Sequence, residues 1–140
     1  MSASSSAIDT SVSVPLILTT HPSHSAVAQW VGGKALHLCG HAAVETYSVL
    51  TRLPMGVRLG ALETAQFLDE LFAGVLVMPE HLAASAYREL AHCGIEGGAA
   101  YDGLIGLVAR AHDAVLLTRD RRARGTYEAL GVKLRFLDIP

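Results

Sequence analysis

An α/β fold, a three-layer α/β/α sandwich around a central, mainly parallel sheet, is predicted by three features of the sequence. Short apolar runs recur at Ala7-Ile8, Leu36-His37-Leu38-Cys39, Val75-Leu76-Val77-Met78 and Ala114-Val115-Leu116-Leu117, with the length and composition of strands buried on both faces. Between them lie stretches of helical spacing long enough to serve as crossovers in a parallel sheet. At 140 residues, with no internal repeat or linker, the chain suits one domain whose core needs neither disulfide nor zinc. That domain is expected over residues 1–140, with 1–6 as a flexible leader.

Ala7 and Ile8 end the first strand and deliver Asp9 to the carboxyl edge of the sheet, where open α/β folds keep their chemistry. The run 12–18 follows, and Thr10 or Ser11 as N-cap with Pro15 in an early turn suits a short helix. His21-Pro22-Ser23-His24 breaks the pattern, Ser23 caps a helix from 25 to about 31, and Gly32-Gly33 ends it. His21 and His24 are three apart, but Pro22 between them and the lack of a third ligand favour solvated positions over a metal site. Leu36 to Cys39 is the second strand. Gly40-His41 turns the chain into a helix that starts at Ala42, carries Glu45 in its first turn and runs up to Leu53-Pro54.

Over 60–73, Leu62, Ala65, Leu68, Leu71 and Phe72 share one helix face, with Glu63, Asp69 and Glu70 on the solvated side. A third strand over 75–78 is closed by Pro79, and one helix over 80–92 stops at Gly94. Asp102 is the only acid of the next helix, 99–111. The clearest strand is 114–117, and Thr118-Arg119-Asp120 at its end repeats the arrangement around Asp9. A helix ended by Gly131 follows, and 132–137 alternates as a half-exposed last strand.

The chain is 51% hydrophobic with mean hydropathy +0.35, high for so small a soluble monomer. Part of that surface is expected in an interface, so a homo-oligomer or tight partner is predicted. A formal net charge of -2 excludes a general polycation, and any nucleic-acid contact must come from a local patch. Cys39 and Cys93 form no CxxC pair and read as reduced thiols of a cytoplasmic protein. Residues 1–6 lack a basic n-region, and 12–18 is short and contains Pro15. Neither a signal peptide nor a membrane span is expected.

Asp9 and Asp120 thus fall at strand ends, Glu45 and Asp102 near helix starts, and all four can meet at one edge. Plainer readings exist: Glu45 as a partner of the helix dipole, Asp102 as a buried, hydrogen-bonded acid. Left ionised and unpaired against an apolar face, Asp102 would cost several kcal/mol, so it calls for a cation or a pocket mouth. Carboxylates gathered in a cleft repel one another, and divalent cations relieve the repulsion. An oxygen set without Cys or His favours Mg2+ or Mn2+ over zinc, and phosphodiester hydrolysis is the chemistry such ions promote.

Asp9 and Asp102 are the principal expected ligands, with Asp120 and Glu45 completing the shell directly or through water. Thr10, Ser11 and Thr118 are expected to hydrogen-bond the acids or the scissile phosphate. Arg119, Arg121 and Arg122 are expected to position a nucleic-acid strand. Replacing Asp9 by Ala is expected to abolish cutting with little loss of folding, because it removes one of several repelling acids.

Ile8-Asp9-Thr10-Ser11, Glu45 early in a helix, Tyr101-Asp102-Gly103-Leu104-Ile105 and Leu116-Leu117-Thr118-Arg119-Asp120-Arg121-Arg122 resemble, in order and spacing, the PIN-domain ribonucleases. The subgroup they look most like is the VapC toxins of type II toxin–antitoxin modules. The resemblance spans nearly the whole chain and is most specific in its final third. It implies a three-layer α/β/α fold, Mg2+-dependent RNA endonuclease activity, a homodimer, and a VapB-type antitoxin that blocks the site. Gly103 and Gly106 depart from the pattern, standing where such helices more often carry alanine, and are expected to loosen the helix that bears Asp102.

Two rival readings remain. A phosphoacceptor or phosphatase-type α/β domain also places an Asp after its first strand. A receiver needs paired acids near the start and a late lysine, and a dehalogenase-like fold needs Asp-x-Asp, whereas residue 11 is Ser. The second rival is a PIN-like fold acting as a non-catalytic protein-binding module, which a metal titration separates from an enzyme.

Overall fold

The computed structural model describes residues 5–139. In chain order these form β1 (Ser6–Ile8), α1 (Thr10–Ile17), α2 (His24–Val31), β2 (Leu36–Cys39), α3 (Ala42–Thr51), α4 (Ala61–Leu71), β3 (Gly74–Leu76), α5 (Glu80–Ala83), α6 (Ala86–His92), α7 (Ala99–Ala111), β4 (Val115–Thr118), α8 (Arg121–Ala129) and β5 (Lys133–Phe136). The strands make one parallel sheet in the order β3-β2-β1-β4-β5. Ile8 pairs with Leu38 on one side and Leu117 on the other, so the end of β1 lies between the ends of β2 and β4.

Successive side chains of a strand point to opposite faces, and this divides the core in two. Ala7, Cys39 and Leu116 meet Leu107, Val108, Ala109, Ala123 and Tyr127 of α7 and α8. Ile8, Leu38 and Leu117 meet Val12, Val27 and Val31 of α1 and α2, together with Phe72 just beyond α4. Helices therefore cover both faces of the sheet, as the three-layer α/β/α reading requires. Among the described residues, no helix is long and apolar enough to cross a membrane.

Several boundaries differ from expectation, each for a local reason. Ser5 and Ser6 are not leader: Val115 N donates to Ser5 O at 2.9 Å, and Ser6 is in register with Leu36 and Val115. The remainder of the expected leader, 1–4, lies outside the described residues. Backbone pairing alone holds these small polar residues in the sheet, which hydrophobic patterning does not register.

The N-cap of α1 is Asp9 rather than Thr10 or Ser11, because its extended backbone lets Oδ1 accept from Ser11 N. Pro15 sits inside α1 and leaves Ser11 O without the N–H four residues on. Arg119 Nε donates to that carbonyl at 2.6 Å. His21 and His24 are partly buried and hydrogen-bonded rather than simply solvated: Ser23 N donates to His21 Nδ1, and His24 Nδ1 lies 2.7 Å from Pro15 O.

The helix predicted over 80–92 is two helices, with the Ser85 hydroxyl turned back toward His81 O and Leu82 O where they part. The face predicted for 60–73 is only partly buried. Thr64 and Phe72 are buried and Leu68 is half-buried, whereas Leu62 is 88% exposed and Ala65 and Leu71 are exposed. Residues 64, 68 and 72 make a stripe spaced by four, too narrow to carry the rest inside.

Gly103 and Gly106 do not loosen α7, which runs unbroken from Ala99 to Ala111. They allow close packing instead. A Cβ on Gly103 would stand 2.4 Å from Leu90 Cδ2, and one on Gly106 would stand 3.0 Å from Leu130 Cδ1 and 3.2 Å from Tyr127 Cδ1.

Candidate active site

The carboxyl ends of β1 and β4 supply the centre of the site. Asp9 is 3% exposed and its carboxylate accepts four hydrogen bonds. Ser11 N (3.1 Å) and Ser11 Oγ (2.5 Å) donate to Oδ1, while Thr118 Oγ1 (2.6 Å) and Tyr127 Oη (2.9 Å) donate to Oδ2. The two hydroxyls from the strand ends are themselves fixed. Ser11 Oγ accepts from Arg119 N at 3.0 Å, and Thr118 Oγ1 accepts from Asp120 N at 3.1 Å.

Burial pushes the Asp9 carboxyl above its ordinary range. The hydrogen bonds from Ser11, Thr118 and Tyr127 pull it back, and the charge of Asp120 adds to the rise. The Cys39 thiol, buried and facing the charge of Asp9, is pushed up to about 12 and is inert at neutral pH.

Asp102 stands in the first turn of α7, partly buried, and its carboxylate accepts no hydrogen bond among the described residues. It too is pushed above its ordinary range, by burial first and then by the charges of Asp120, Asp9 and Glu45, with Arg122 opposing. The four acids predicted from sequence therefore share one electrostatic field, and Asp102 is where it converges. Glu45 lies in the first turn of α3. Its Oε2 accepts from Thr10 Oγ1 at 3.1 Å, and its Oε1 lies 2.7 Å from His41 Nε2, outside hydrogen-bond alignment. Asp120 repeats the role of Asp9 as an N-cap: its Oδ1 accepts from Arg122 N and Ala123 N at the start of α8.

The flanking residues divide. Thr118 is fully buried, so of the two partners expected for its hydroxyl it has the acid and no access to a phosphate. Thr10 and Ser11 likewise bond Glu45 and Asp9. Arg119 is tied to α1, its backbone N donating to Ser11 Oγ and its Nε to Ser11 O. Arg121 pairs with Asp138. Arg122 has a side chain 95% exposed and only a distant pair, 3.9 Å, with Asp120.

Sequence reasoning did not find Tyr127 or His41. Tyr127 reads as one apolar position of a stripe with Ala123 and Leu130, and no sequence signal reports where its hydroxyl reaches. The expectation for Asp9→Ala also changes. Removing a carboxylate that satisfies three buried or partly buried hydroxyls and a backbone N–H leaves donors unpaired, at about 1–3 kcal/mol each. Asp102, with no donor to orphan, is the cleaner position to neutralise.

Among the described residues, no three Asp, Glu, His or Cys side chains stand at the spacing of ligands to one ion. The donor chemistry nevertheless fits a hard divalent cation. The groups that share the field are carboxylates, and Asp102 offers both oxygens without a competing donor.

A family model described as PIN domain matches residues 7–129. Ribonuclease VapC27 of Mycobacterium tuberculosis is 48% identical over 126 residues, covering 90% of this chain and 92% of that protein. Ribonuclease VapC40 of the same species is 42% identical over 133 residues, covering 92% and 96%. Among solved structures, FitAB bound to an IR36 DNA fragment has a TM-score of 0.67 at 23% identity, covering 94% of each chain. FitAcB from Neisseria gonorrhoeae has a TM-score of 0.61 at 23% identity, covering 92% and 95%. Those two likenesses are of fold, whereas the likeness to the ribonucleases is one of sequence over most of the chain. With strand order, layers and the family match in agreement, the chain belongs to the PIN-domain family, in its VapC ribonuclease branch.

Proposed function

We propose that this chain is a Mg2+-dependent endoribonuclease, the toxin of a type II toxin–antitoxin pair, with Mn2+ as a substitute ion. What supports the reading is Asp102, partly buried, with no hydrogen-bond donor of its own among the described residues and within reach of the charges of Asp120, Asp9 and Glu45. Asp9 and Asp102 are its principal metal ligands, and Asp120 and Glu45 complete the shell. Mg2+, when bound, supplies a water of lowered pKa and a counter-charge for the phosphodiester.

The protein's own groups do the positioning. Ser11 and Thr118 hold Asp9, Thr10 holds Glu45, and Arg121 and Arg122, at the start of α8 beside Asp120, draw in the phosphate backbone of RNA. Val44, Leu62, Val77, Tyr87 and Tyr101 are exposed apolar side chains, and they support a homodimer and a VapB-type antitoxin as partners of a cytoplasmic toxin.

The test is cleavage of total RNA by the purified chain with Mg2+, beside Asp102→Asn and a chelator control, with the cut ends mapped. Cutting is expected to vanish in both controls while Asp102→Asn stays folded. Cleavage that survives Asp102→Asn or chelation overturns the reading.

A further inference from the structure

We infer that the Tyr127 hydroxyl is the donor that a divalent cation displaces from Asp9, so that Tyr127 is a positioning residue which sets how tightly the site takes its ion. The inference rests on the proposed metal dependence and adds a residue to it. A carboxylate offers about four lone-pair positions, and Asp9 has four donors on them. A cation therefore reaches Asp9 only where a donor withdraws.

Three of the four donors are fixed. Ser11 N is held in the first turn of α1 by the cap itself. Ser11 Oγ and Thr118 Oγ1 each accept a backbone N–H, from Arg119 and Asp120, so turning either away leaves a partly buried amide unpaired. Tyr127 Oη makes no other hydrogen bond among the described residues, so its withdrawal leaves only its own hydroxyl unpaired, whereas turning Ser11 Oγ or Thr118 Oγ1 away orphans a backbone amide as well. The hydroxyl also stands among the acids: after burial, the charges of Asp9, Asp102 and Asp120 push the phenol far above its ordinary range. The ring is seated by α7, where Gly106 leaves room that a Cβ would fill at 3.2 Å from Tyr127 Cδ1. The bare glycine is therefore what admits the ring.

The test uses the full chain without RNA. Mn2+ is titrated into wild type and Tyr127→Phe, with free ion followed by electron paramagnetic resonance and folding checked by circular dichroism. Phe keeps the ring and removes the donor, so Tyr127→Phe is expected to bind Mn2+ roughly three- to tenfold more tightly, the scale of one hydrogen bond. In wild type alone, Mg2+ is expected to perturb the near-ultraviolet tyrosine spectrum, a readout that does not need the variant to fold. Unchanged or weaker binding by a folded Tyr127→Phe, or a tyrosine spectrum indifferent to Mg2+ at saturation, overturns this inference alone. Failure of wild type to bind Mn2+ or Mg2+ overturns the metal reading as well.

Discussion

Arg119 Nε donates at 2.6 Å to Ser11 O, the carbonyl that Pro15 leaves without its helical partner. The arginine at the end of β4 thus repairs a defect in α1 and ties together the two segments that frame Asp9. Arg119→Ala is expected to cost about 1.5–3 kcal/mol, the range for hydrogen bonds to charged groups. The cost should fall by at least about 0.5 kcal/mol in a Pro15→Ala background, where residue 15 regains an N–H for Ser11 O. Urea unfolding of the four proteins in this cycle measures the coupling. Additive costs mean that the arginine does not serve that carbonyl.

Gly103 and Gly106 face different neighbours, and alanine should separate them. At Gly106 the obstacles are Leu130, Tyr127 and Val132 at 3.0–3.3 Å, all in packed surroundings, so Gly106→Ala is expected to destabilise by about 1–3 kcal/mol through overpacking. At Gly103 the close atom is one terminal methyl of Leu90, and the next contacts are at 3.6 and 3.7 Å. A rotation of Leu90 and a helix-propensity gain of about 1 kcal/mol leave Gly103→Ala the milder change. Thermal unfolding of both variants decides, and a Gly103→Ala loss equal to or larger than that of Gly106→Ala contradicts the packing account.

The parts of the fold that follow from hydrophobic runs were legible in the sequence. Leu36 to Cys39 and the run ending at Leu117 read as strands because their apolar residues face both layers, and the acids after them read as edge residues. What was not legible depends on contacts distant in sequence. Ser5 and Ser6 enter the sheet by pairing with Leu36 and Val115. Thr118, expected just past the strand over 114–117, is the last of β4 because Phe136 pairs with it. Arg119 reads from sequence only as one of the arginines beside a nucleic-acid strand, and only the position of Pro15 and the approach of α1 to β4 reveal its structural task. Tyr127 lies 118 residues from the carboxylate it bonds, and no periodicity carries that information.

Asp9 and Asp102 both titrate above their ordinary range in the folded chain, and the sign of the consequence follows. A raised folded-state pKa means that the folded chain holds protons the unfolded chain has released. The resulting stability is full below the unfolded value and is lost as pH rises through the raised one. In chelator, stability is therefore expected to fall between the ordinary Asp range and neutrality, and Asp102→Asn should flatten that fall. Mg2+ binds the ionised carboxylates, so its stabilising effect is expected to be largest near neutral pH and to shrink in mild acid. Melting curves with Mg2+ and with chelator at several pH values test this, and a Mg2+ effect independent of pH contradicts it.

Arg122 should behave as the opposite of Arg119. Its side chain is 95% exposed, and its 3.9 Å pair with Asp120 is of the kind worth about 0–1 kcal/mol at most. Arg122→Gln is therefore expected to leave the melting temperature unchanged. If the arginine meets an RNA phosphate, the same variant weakens RNA binding and reduces the salt dependence of log Kd by roughly one contact, a slope change of about 0.7–1. Asp102→Asn in the same background keeps the RNA uncut while binding is measured, so affinity is separated from turnover. Unaltered affinity and slope in Arg122→Gln would place the RNA backbone away from the start of α8, and with it the path by which a phosphate approaches Asp102.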